Sequence, residues 1–411
     1  MEERQNLKLG DVAIPKMKNL NTIEYLVGSK NISKRSVLPY DSNICDFLGD
    51  LSDELSLNRE SKNYPDIKTL AFWCRRQNIN NLKKKFFSNE IRVGLGLIFH
   101  ITPSNVPTNF AYSLIFGLIT GNSNIIKVPT QNFSQVDIIC KSINKLLKKK
   151  HRSIGKMISI IRYSDNDDYT KNISSICNAR LIWGGDLSIK NIRKFPLNQR
   201  ALDIAFADRY SFCVMNTSEV MKLGKKEMKR LVERFYNDTY LVDQNACSSP
   251  HLIVWLGKKV DKARNKFWRH LHHHVNKKYI LTETASVEKY TQLCSLILSL
   301  GNMKKYELYS NSIYTTFLKK LNKNIHKLRG KWGFFYEYNI NDLNKMKSYI
   351  NNKYQTLTYF GINKDVLKNF ILKNQLEGID RIVPIGQALD ISFLWDGYDL
   401  NRTLSRVVDI K

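Results

Sequence analysis

The sequence has 411 residues, with 65 lysines and arginines against 37 aspartates and glutamates, so its formal net charge is +28. Hydrophobic residues make up 43% and charged residues 25%. This balance is typical of a globular protein and excludes a disordered polyelectrolyte or a low-complexity chain. At roughly 100–200 residues per domain, the length predicts two or three domains.

No run of about 18 apolar residues occurs, which argues against a membrane span. The N-terminal segment MEERQNLKLGDVAIPKMKNL carries acidic residues and lacks an apolar core, so it does not resemble a signal peptide. The seven cysteines are scattered and form no CxxC pair. This pattern favours a reducing cytoplasm over a disulfide framework, and most of the cysteines should be small buried residues.

Basic residues are spread along the whole chain, with short runs at 83–85 and 148–150. Aromatic residues do not alternate with arginines as they would in a base-stacking surface. A solvated basic surface is therefore the main interpretation. Capture of an anionic ligand, such as a polyphosphate cofactor or coenzyme A, is the alternative, and nucleic acid is a weaker candidate.

Residues 1–88 have a polar, mostly helical pattern, with Trp73, Phe86 and Phe87 as expected core residues. After them, apolar strands and helices alternate with short links. The predicted strands are 93–101, 124–128, 157–161 and 180–183, and the predicted helices are 110–119, 134–148, 168–177 and 187–194. This alternation predicts a parallel, doubly wound α/β sheet. Because such sheets bind ligands at the carboxyl ends of their strands, the loops 102–107, 128–131 and 184–186 should share one edge.

A second α/β unit is predicted from about residue 200. Its expected strands are 201–207, 212–215 and 252–256, and its expected helices are 220–236 and 260–274. The chain has no internal repeat and no linker rich in Gly, Pro or Ser. We therefore expect the two units to be packed together rather than tethered.

One cysteine differs from the others in its sequence surroundings. Cys247 lies in the polar segment DQNACSSP (243–250), ahead of a predicted strand, whereas Cys213 and Cys294 lie in apolar runs. A turn would expose the sulfur and direct backbone N–H groups toward it, which would lower its pKa and stabilise an oxyanion. A nucleophile is one interpretation, and a structural turn is the other.

The loop ITPSNVP (101–107) holds Asn105 between two prolines. A fixed amide N–H₂ group can stabilise a developing oxyanion. The alternative is that Asn105 caps the following helix, although Thr108 is also available as the cap.

Other patterns are weaker. Gly184 and Gly185, between a strand and a helix, could bring backbone N–H groups to a pyrophosphate, but the full GxGxxG motif is absent. His270 and His274 share a helical face, yet Leu271 replaces the glutamate of an HExxH motif, which favours a basic helix face over a metal site. Neither a GxSxG elbow nor a P-loop occurs.

Four segments together resemble a known family. They are GLGLIFHITPSNVPTNFAYSLIFGLITGNSNIIKVP (94–129), DQNACSSPHLIVW (243–255), and the C-terminal blocks KYQTLTYFGI (353–362) and GIDRIVPIGQALDISFLWDGYDL (378–400). They are similar to the acyl-CoA reductase family, typified by the fatty-acid reductase of bacterial bioluminescence, within the aldehyde dehydrogenase superfamily. The resemblance runs from about residue 90 to the end.

The resemblance implies roles for individual residues. Cys247 falls on the acyl-accepting nucleophile, and Asn105 falls on the asparagine that forms the oxyanion hole with the Cys247 N–H. Thr102 and Pro103 fall on the loop beside the nicotinamide, and Lys127 falls on the lysine that contacts the adenosine ribose or its phosphate. Gly184 and Gly185 correspond to the glycine turn near the pyrophosphate, although Trp183 replaces a small polar residue there.

The family resemblance also exposes an absence. Hydrolytic aldehyde dehydrogenases carry a glutamate that activates water, and its equivalent here is Ala205, with Asp203 and Asp208 out of register. Without a positioned base, water attacks a thioester slowly. We therefore expect NADPH-dependent reduction of an acyl-CoA to the aldehyde. The alternatives are reduction of an acyl phosphate or a protein-bound acyl group, a nucleic-acid-binding protein, and a non-catalytic subunit of an acyl-transfer complex.

The expected architecture is aldehyde-dehydrogenase-like. Its predicted parts are an N-terminal region (1–88) packed on the cofactor domain, an NADP-binding α/β domain (89–208), a catalytic α/β domain (209–385) and a C-terminal segment (386–411) returning toward the cofactor domain. The expected partners are an acyl thioester substrate, an acyl-protein synthetase or acyltransferase, and further copies of the chain. No nucleic acid and no metal are expected.

Overall fold

The computed structural model describes residues 11–13, 23–86, 90–164, 167–299 and 301–411. Phe87, one of the expected core residues, lies outside the described residues. The chain divides into two compact units: one comprises the residues up to Ala207 together with Tyr398–Lys411, and the other comprises Asp208–Gly397. The C-terminal return that the sequence placed at residue 386 thus begins at Tyr398.

The first unit contains nine strands and seven helices before Ala207 among its described residues. The strands are β1 (Asp11–Ala13), β2 (Glu24–Val27), β3 (Asn31–Ser33), β4 (Ile91–Gly94), β5 (Leu97–Ile101), β6 (Ser123–Lys127), β7 (Ile158–Arg162), β8 (Ala179–Trp183) and β9 (Leu202–Phe206). The helices are α1 (Ser42–Leu57), α2 (Pro65–Trp73), α3 (Arg76–Phe86), α4 (Asn109–Ile119), α5 (Ser134–Lys149), α6 (Asp167–Ile176) and α7 (Asp186–Ile192).

The first unit is built on a six-stranded sheet in the order β2-β7-β6-β5-β8-β9. All neighbouring strands are parallel except β2, which runs antiparallel to β7 at one edge. The apolar strand β5 lies in the interior and is fully buried, as is α4. The carboxyl ends of β5, β6 and β8 therefore lie at one edge of the sheet, and the prediction that their loops share this edge is confirmed.

The second unit contains the strands β10 (Tyr210–Asn216), β11 (Pro250–Leu256), β12 (Met303–Tyr309), β13 (Ile313–Leu318), β14 (Phe334–Ile340), β15 (Tyr354–Phe360), β16 (Arg381–Pro384) and β17 (Leu394–Trp395). Its helices are α8 (Thr217–Lys222), α9 (Lys225–Thr239), α10 (Val260–Lys278), α11 (Glu283–Ser299) and α12 (Lys364–Asn374). The C-terminal residues add β18 (Tyr398–Asp399), α13 (Leu400–Thr403) and β19 (Ser405–Val408) to the first unit, where β19 pairs with β4.

The second unit has a seven-stranded sheet in the order β12-β13-β14-β11-β10-β15-β16. Its strands are parallel except for the edge strand β12, which pairs antiparallel with β13. Apolar clusters cover both faces of the sheet: one includes Phe212 and Tyr354, and the other includes Trp255 and Phe335. Strands buried on both faces explain the continuous apolar runs of the sequence.

Several sequence predictions are wrong in detail. The expected strand 93–101 is two strands, broken at Gly96, whose φ of +128° lies in a region that favours glycine. The expected helix 220–236 is two helices, α8 and α9, separated at Leu223 and Gly224. Strand β9 belongs to the first sheet rather than to the second unit, and residues 1–88 include strands as well as helices.

The part of the chain that the structure describes contains no helix long and apolar enough to cross a membrane.

Candidate functional site

The loop that carries Cys247 follows the C-terminal end of α9 and leads into β11. Asp243 and Gln244 are both left-handed, with φ of 53° and 58°, which is uncommon for residues other than glycine. Gln244 is buried and holds this conformation: its Oε1 accepts hydrogen bonds from the N–H groups of Gly333 (2.8 Å) and Phe334 (3.1 Å). The Tyr279 hydroxyl donates to the Asp243 carboxylate. Hydrogen bonds of the Gln244 and Tyr279 side chains therefore hold this loop in one conformation at the amino end of β11.

Cys247 itself is tied to the neighbouring strand through its backbone. The Ser211 hydroxyl, at the start of β10, donates to the Cys247 carbonyl at 2.6 Å and accepts from the Thr356 N–H at 3.1 Å. Cys247 is partly exposed, whereas Cys74, Cys140, Cys177 and Cys213 are buried. The expectation of a buried Cys213 is confirmed, and that of a buried Cys294 is wrong, because Cys294 is partly exposed, as is Cys45.

The Cys247 sulfur accepts a hydrogen bond from Gln355 Nε2 at 3.3 Å, and the same nitrogen donates to the Asp396 carboxylate. Burial, followed by the negative charge of Asp396, raises the pKa of the Cys247 thiol to about 12. The Gln355 hydrogen bond and the charges of Arg209 and Arg329 oppose this rise of the pKa. The expectation of a lowered thiol pKa is therefore wrong for the structure without bound substrate.

Sequence reasoning missed Ser211, Gln355 and Asp396. Gln355 and Asp396 lie in the two C-terminal blocks that carry the family resemblance, but nothing in those blocks alone indicates contact with a sulfur. Gln355 is the second residue of β15, and the carboxylate of Asp396 is 4% exposed. A buried polar residue at the start of a buried strand is the signal that could have drawn attention to Gln355.

The predicted cofactor residues lie at the carboxyl edge of the first sheet. Thr102 follows β5, and both its N–H (3.2 Å) and its hydroxyl (2.9 Å) donate to the carbonyl of Lys127 at the end of β6. Pro103 is half-buried and Asn105 is exposed. The Lys127 ammonium lies over the Tyr163 ring, 5.0 Å from its centroid. Thr108 rather than Asn105 is the N-cap residue of α4.

Trp183 ends β8 just before the glycine turn, and its ring stacks on Phe206 with centroids 3.7 Å apart. Its indole N–H donates to Ser113 Oγ at 3.0 Å, so the Ser113 hydroxyl donates in turn to His100 Nδ1 at 2.7 Å. His100 Nε2 then donates to Asn124 Oδ1 at 2.9 Å. This chain of hydrogen bonds fixes the indole, and burial lowers the pKa of His100 to about 4, which keeps the ring neutral.

The glycine turn has room for a ligand. A Cβ at Gly185 would have no neighbour within 4 Å, and one at Gly184 would contact only Ser188 Cβ, at 3.5 Å. Neither glycine has a positive φ, so the backbone conformation does not require glycine there. The Gly184 N–H, however, donates to the Phe206 carbonyl at 3.2 Å and is not available to a phosphate. The open space beside Gly185, together with the Lys127 ammonium at the same edge, fits the phosphates of a dinucleotide.

The two carboxylates near the position of the missing base are engaged elsewhere. Asp203 accepts from Arg180 at 2.8 Å, and Asp208 pairs with Arg329 at 2.9 Å. Ala205, in β9, carries no ionisable group. Across the described residues, no group of three or more histidine, cysteine or carboxylate side chains could hold a metal ion.

A groove of about 1130 Å³ lies at the opposite, carboxyl edge of the second sheet. Lysines and apolar side chains line it together, among them Lys258, Lys373, Met221 and Val366. None of the predicted site residues lines this groove.

The family model for acyl-CoA reductase (LuxC) matches residues 50–407. No curated protein sequence matches the chain.

Solved structures of the aldehyde dehydrogenase fold are similar to this chain. Aldehyde dehydrogenase 21 from Physcomitrella patens, in complex with the reaction product succinate, has a TM-score of 0.65 and 10% identity over 91% of this chain and 86% of its own. An NAD-dependent benzaldehyde dehydrogenase from Corynebacterium glutamicum has a TM-score of 0.64 and 10% identity, over 94% of each chain. A salicylaldehyde dehydrogenase from Pseudomonas putida G7, complexed with salicylaldehyde, has a TM-score of 0.62 and 11% identity, over 90% and 85%.

The structural matches show the fold, and the family match covers most of the chain. The reaction class follows from the family: an oxidoreductase that acts on acyl or aldehyde groups and uses a nicotinamide cofactor. The chain belongs to the acyl-CoA reductase (LuxC) family, within the aldehyde dehydrogenase superfamily.

Proposed function

We propose that this protein reduces an acyl-CoA, with a fatty acyl group as the expected substrate, to the aldehyde through an acyl-cysteine at Cys247. The observation that carries the proposal is the setting of this sulfur. Cys247 is partly exposed on a loop fixed by Gln244 and Ser211, and its Sγ accepts a hydrogen bond from Gln355.

In the first step, the Cys247 thiolate attacks the thioester carbonyl carbon. A carbon–sulfur bond forms to Cys247, the bond to the coenzyme A sulfur breaks, and coenzyme A leaves with the electron pair; the proton that the Cys247 thiol gives up is taken up by the departing coenzyme A, which is released as the free thiol. The proposed donors to the tetrahedral oxyanion are the Asn105 amide and the Cys247 N–H. The product of this step is an acyl-cysteine.

In the second step, the acyl carbon is reduced. NADPH, when bound, supplies the hydride. The resulting thiohemiacetal collapses: its oxygen forms the aldehyde carbonyl, the carbon–sulfur bond breaks, and the electron pair returns to Cys247, whose thiolate can accept a hydrogen bond from Gln355. The Gln355 amide can therefore stabilise the Cys247 thiolate both before it attacks the thioester and after the aldehyde is released.

Protection of the acyl-cysteine from water supports reduction over hydrolysis. Ala205 cannot act as a base, Asp203 is paired with Arg180, and Asp208 is paired with Arg329. Water without a positioned base attacks a thioester slowly. The acyl group therefore survives until a hydride is delivered.

NADPH is the proposed form of the cofactor. Lys127 and the turn at Gly184 and Gly185 are the proposed phosphate contacts, Thr102 and Pro103 form the loop proposed to pass the nicotinamide, and the net charge of +28 favours the additional phosphate of NADPH. A cytoplasmic location, assembly into a homo-oligomer, and an acyl-protein synthetase or acyltransferase partner remain predictions.

Mass spectrometry of the protein after incubation with acyl-CoA and no reductant tests the proposal. We expect one acyl group, mapped to Cys247, and aldehyde formation when NADPH is added. Cys247→Ala should lose both, whereas Cys294→Ala is the matched control because Cys294 is also partly exposed. Acylation of another residue, or reduction by Cys247→Ala, would refute the assignment. Acylation by acyl phosphate but not by acyl-CoA would favour the related acyl-phosphate reductase.

A further inference from the structure

The amide nitrogen of Gln355 has two hydrogens, and both are used. One is directed at Cys247 Sγ, 3.3 Å from the nitrogen, and the other is donated to the Asp396 carboxylate. Gln355 is 1% exposed, so water does not compete for these hydrogens. The three side chains come from a loop, the start of β15 and the segment after β17, and all belong to the second unit.

Asp396 decides which way the amide faces. If the amide were flipped, its oxygen would lie against the carboxylate, and the sulfur would lose its donor. In the observed orientation the oxygen instead accepts from Thr356 Oγ1 at 3.3 Å. Asp396 is itself held in place, with a left-handed φ of 48° and a carboxylate 3.9 Å from Arg209. Arg209 is fixed in turn by the Tyr354 carbonyl at 2.7 Å and by Asp380.

On the basis of the proposed function, we propose that Asp396 is a positioning residue, which acts on Cys247 by fixing the Gln355 amide as a hydrogen-bond donor to the sulfur. Gln355 stabilises the thiolate, because hydrogen bonds to charged groups are the stronger ones. The carboxylate of Asp396 acts on the sulfur in the opposite direction, through its charge. Asp396 therefore has two opposing effects on Cys247. Its negative charge disfavours the thiolate directly, and its hydrogen bond orients the Gln355 amide, which favours the thiolate.

The charged groups around the sulfur have opposing effects. Arg209 and Arg329 favour the thiolate, and Asp396 disfavours it. Arg381 also interacts electrostatically with Cys247, but its guanidinium donates to three backbone carbonyls, those of Gln387, Ala388 and Asp390. Of these groups, only Asp396 also contacts the Gln355 amide.

A double-mutant cycle on thiol reactivity tests the proposal. The variants are Gln355→Met, which keeps the length of the side chain and removes the donor, Asp396→Asn, and the double variant. Alkylation of the native full chain by iodoacetamide is followed by peptide mass mapping from about pH 6 to about pH 10, since the thiolate is the reactive form. Cys294 provides an internal control in every sample, and Gln355→Leu replaces Gln355→Met if the latter does not fold.

We expect Gln355→Met to slow alkylation of Cys247 about tenfold at a given pH and to shift the pH profile upward by about one unit. Asp396→Asn should accelerate alkylation, and the acceleration should be larger in the Gln355→Met background, where no amide orientation remains to be lost. An unchanged pH profile in Gln355→Met, or the same fold-change for Asp396→Asn in both backgrounds, would overturn the proposal. Alkylation needs no acyl-CoA, so failure of the proposed function would be seen separately, as absent acylation.

Discussion

The two units have the same kind of sheet, yet their candidate residues lie at opposite ends of the strands. Among the described residues, each sheet is parallel except for one antiparallel edge strand, β2 in the first unit and β12 in the second. In the first unit, Thr102, Lys127 and Trp183 lie at the carboxyl ends. In the second unit, Cys247 and Gln355 lie at the amino ends, while the lysine-lined groove occupies the carboxyl edge. The candidate residues therefore follow the rule that places ligands at the carboxyl ends of strands in the first unit only.

The difference has an electrostatic consequence. At the amino ends of parallel strands, helices arrive with their C-terminal ends, where the helix dipole is negative. Helix α9 ends at Thr239 and runs into the loop that carries Cys247. Burial and the charge of Asp396 also oppose the thiolate. The sulfur therefore depends on a side-chain donor, Gln355, for stabilisation that a cysteine at a helix N-terminus would obtain from the backbone.

The largest expected effect concerns a residue of the first unit. Asn105→Ala should lower the rate of acyl reduction about 10²–10³-fold, the usual cost of losing one oxyanion donor, with an unchanged melting temperature. Steady-state kinetics and circular dichroism measure both quantities. Ser104→Ala, at the neighbouring exposed position, is the control. A normal rate in Asn105→Ala would refute the proposed role of Asn105 as an oxyanion donor.

A single substitution, Gln244→Ala, tests what holds the loop that carries Cys247 in the second unit. Gln244→Ala leaves the buried Gly333 N–H without its acceptor, whereas the Phe334 N–H keeps the Lys331 carbonyl. It also removes the Nε2 donor to the carbonyls of Pro250 and Phe334, and the combined loss should lower the free energy of unfolding by about 3 kcal/mol. Urea unfolding gives this value. The exposed Gln77→Ala should change it by less than about 0.5 kcal/mol. Equal effects of the two substitutions on the free energy of unfolding would contradict the role of Gln244 in holding the loop.

Each unit contains a buried neutral histidine, which makes both sensitive to acid. Burial lowers the pKa of His100 to about 4 and that of His251 to about 3. Between these values and the unfolded value of 6.5, the unfolded chain binds more protons, so stability falls as the pH is lowered. Each histidine should cost about 2 kcal/mol of stability at about pH 5.

The measurement is the free energy of unfolding as a function of pH. His100→Gln and His251→Gln should each flatten its slope between about pH 6.5 and about pH 4. Gln77→Ala, at an exposed position without a titratable side chain, should leave the slope unchanged. A slope that survives both buried substitutions would assign the acid sensitivity to other groups.

The smallest expected effect concerns the carboxyl edge of the first unit. Trp183→Leu removes the ring that stacks on Phe206 beside the glycine turn, and it should raise the KM for NADPH about tenfold with little change in kcat. Energy transfer from tryptophan to bound NADPH should also decrease. Trp73→Phe, in α2 of the same unit, is the control. Unchanged NADPH binding in Trp183→Leu would place the cofactor away from this indole.

Much of the fold could be predicted from the sequence. Continuous apolar runs separated by helical patterns predicted the parallel sheet of the first unit, because strands buried on both faces leave a recognisable pattern. Breaks inside these patterns were missed. Gly96 interrupts a run that stays apolar on both sides, and Gly224 interrupts a helical pattern that continues beyond it. Hydrophobic periodicity does not detect a change of direction when the burial pattern continues.

The sequence by itself distinguished Cys247, because small polar residues surround this sulfur ahead of an apolar strand. Only the tertiary structure decided what contacts the sulfur: Gln355 lies 108 residues further along the chain and Asp396 lies beyond β17. These residues meet because strand pairing brings the starts of β10, β11 and β15 together at one edge of the sheet. The order of neighbouring strands depends on packing over the whole unit, so local residue patterns cannot encode it.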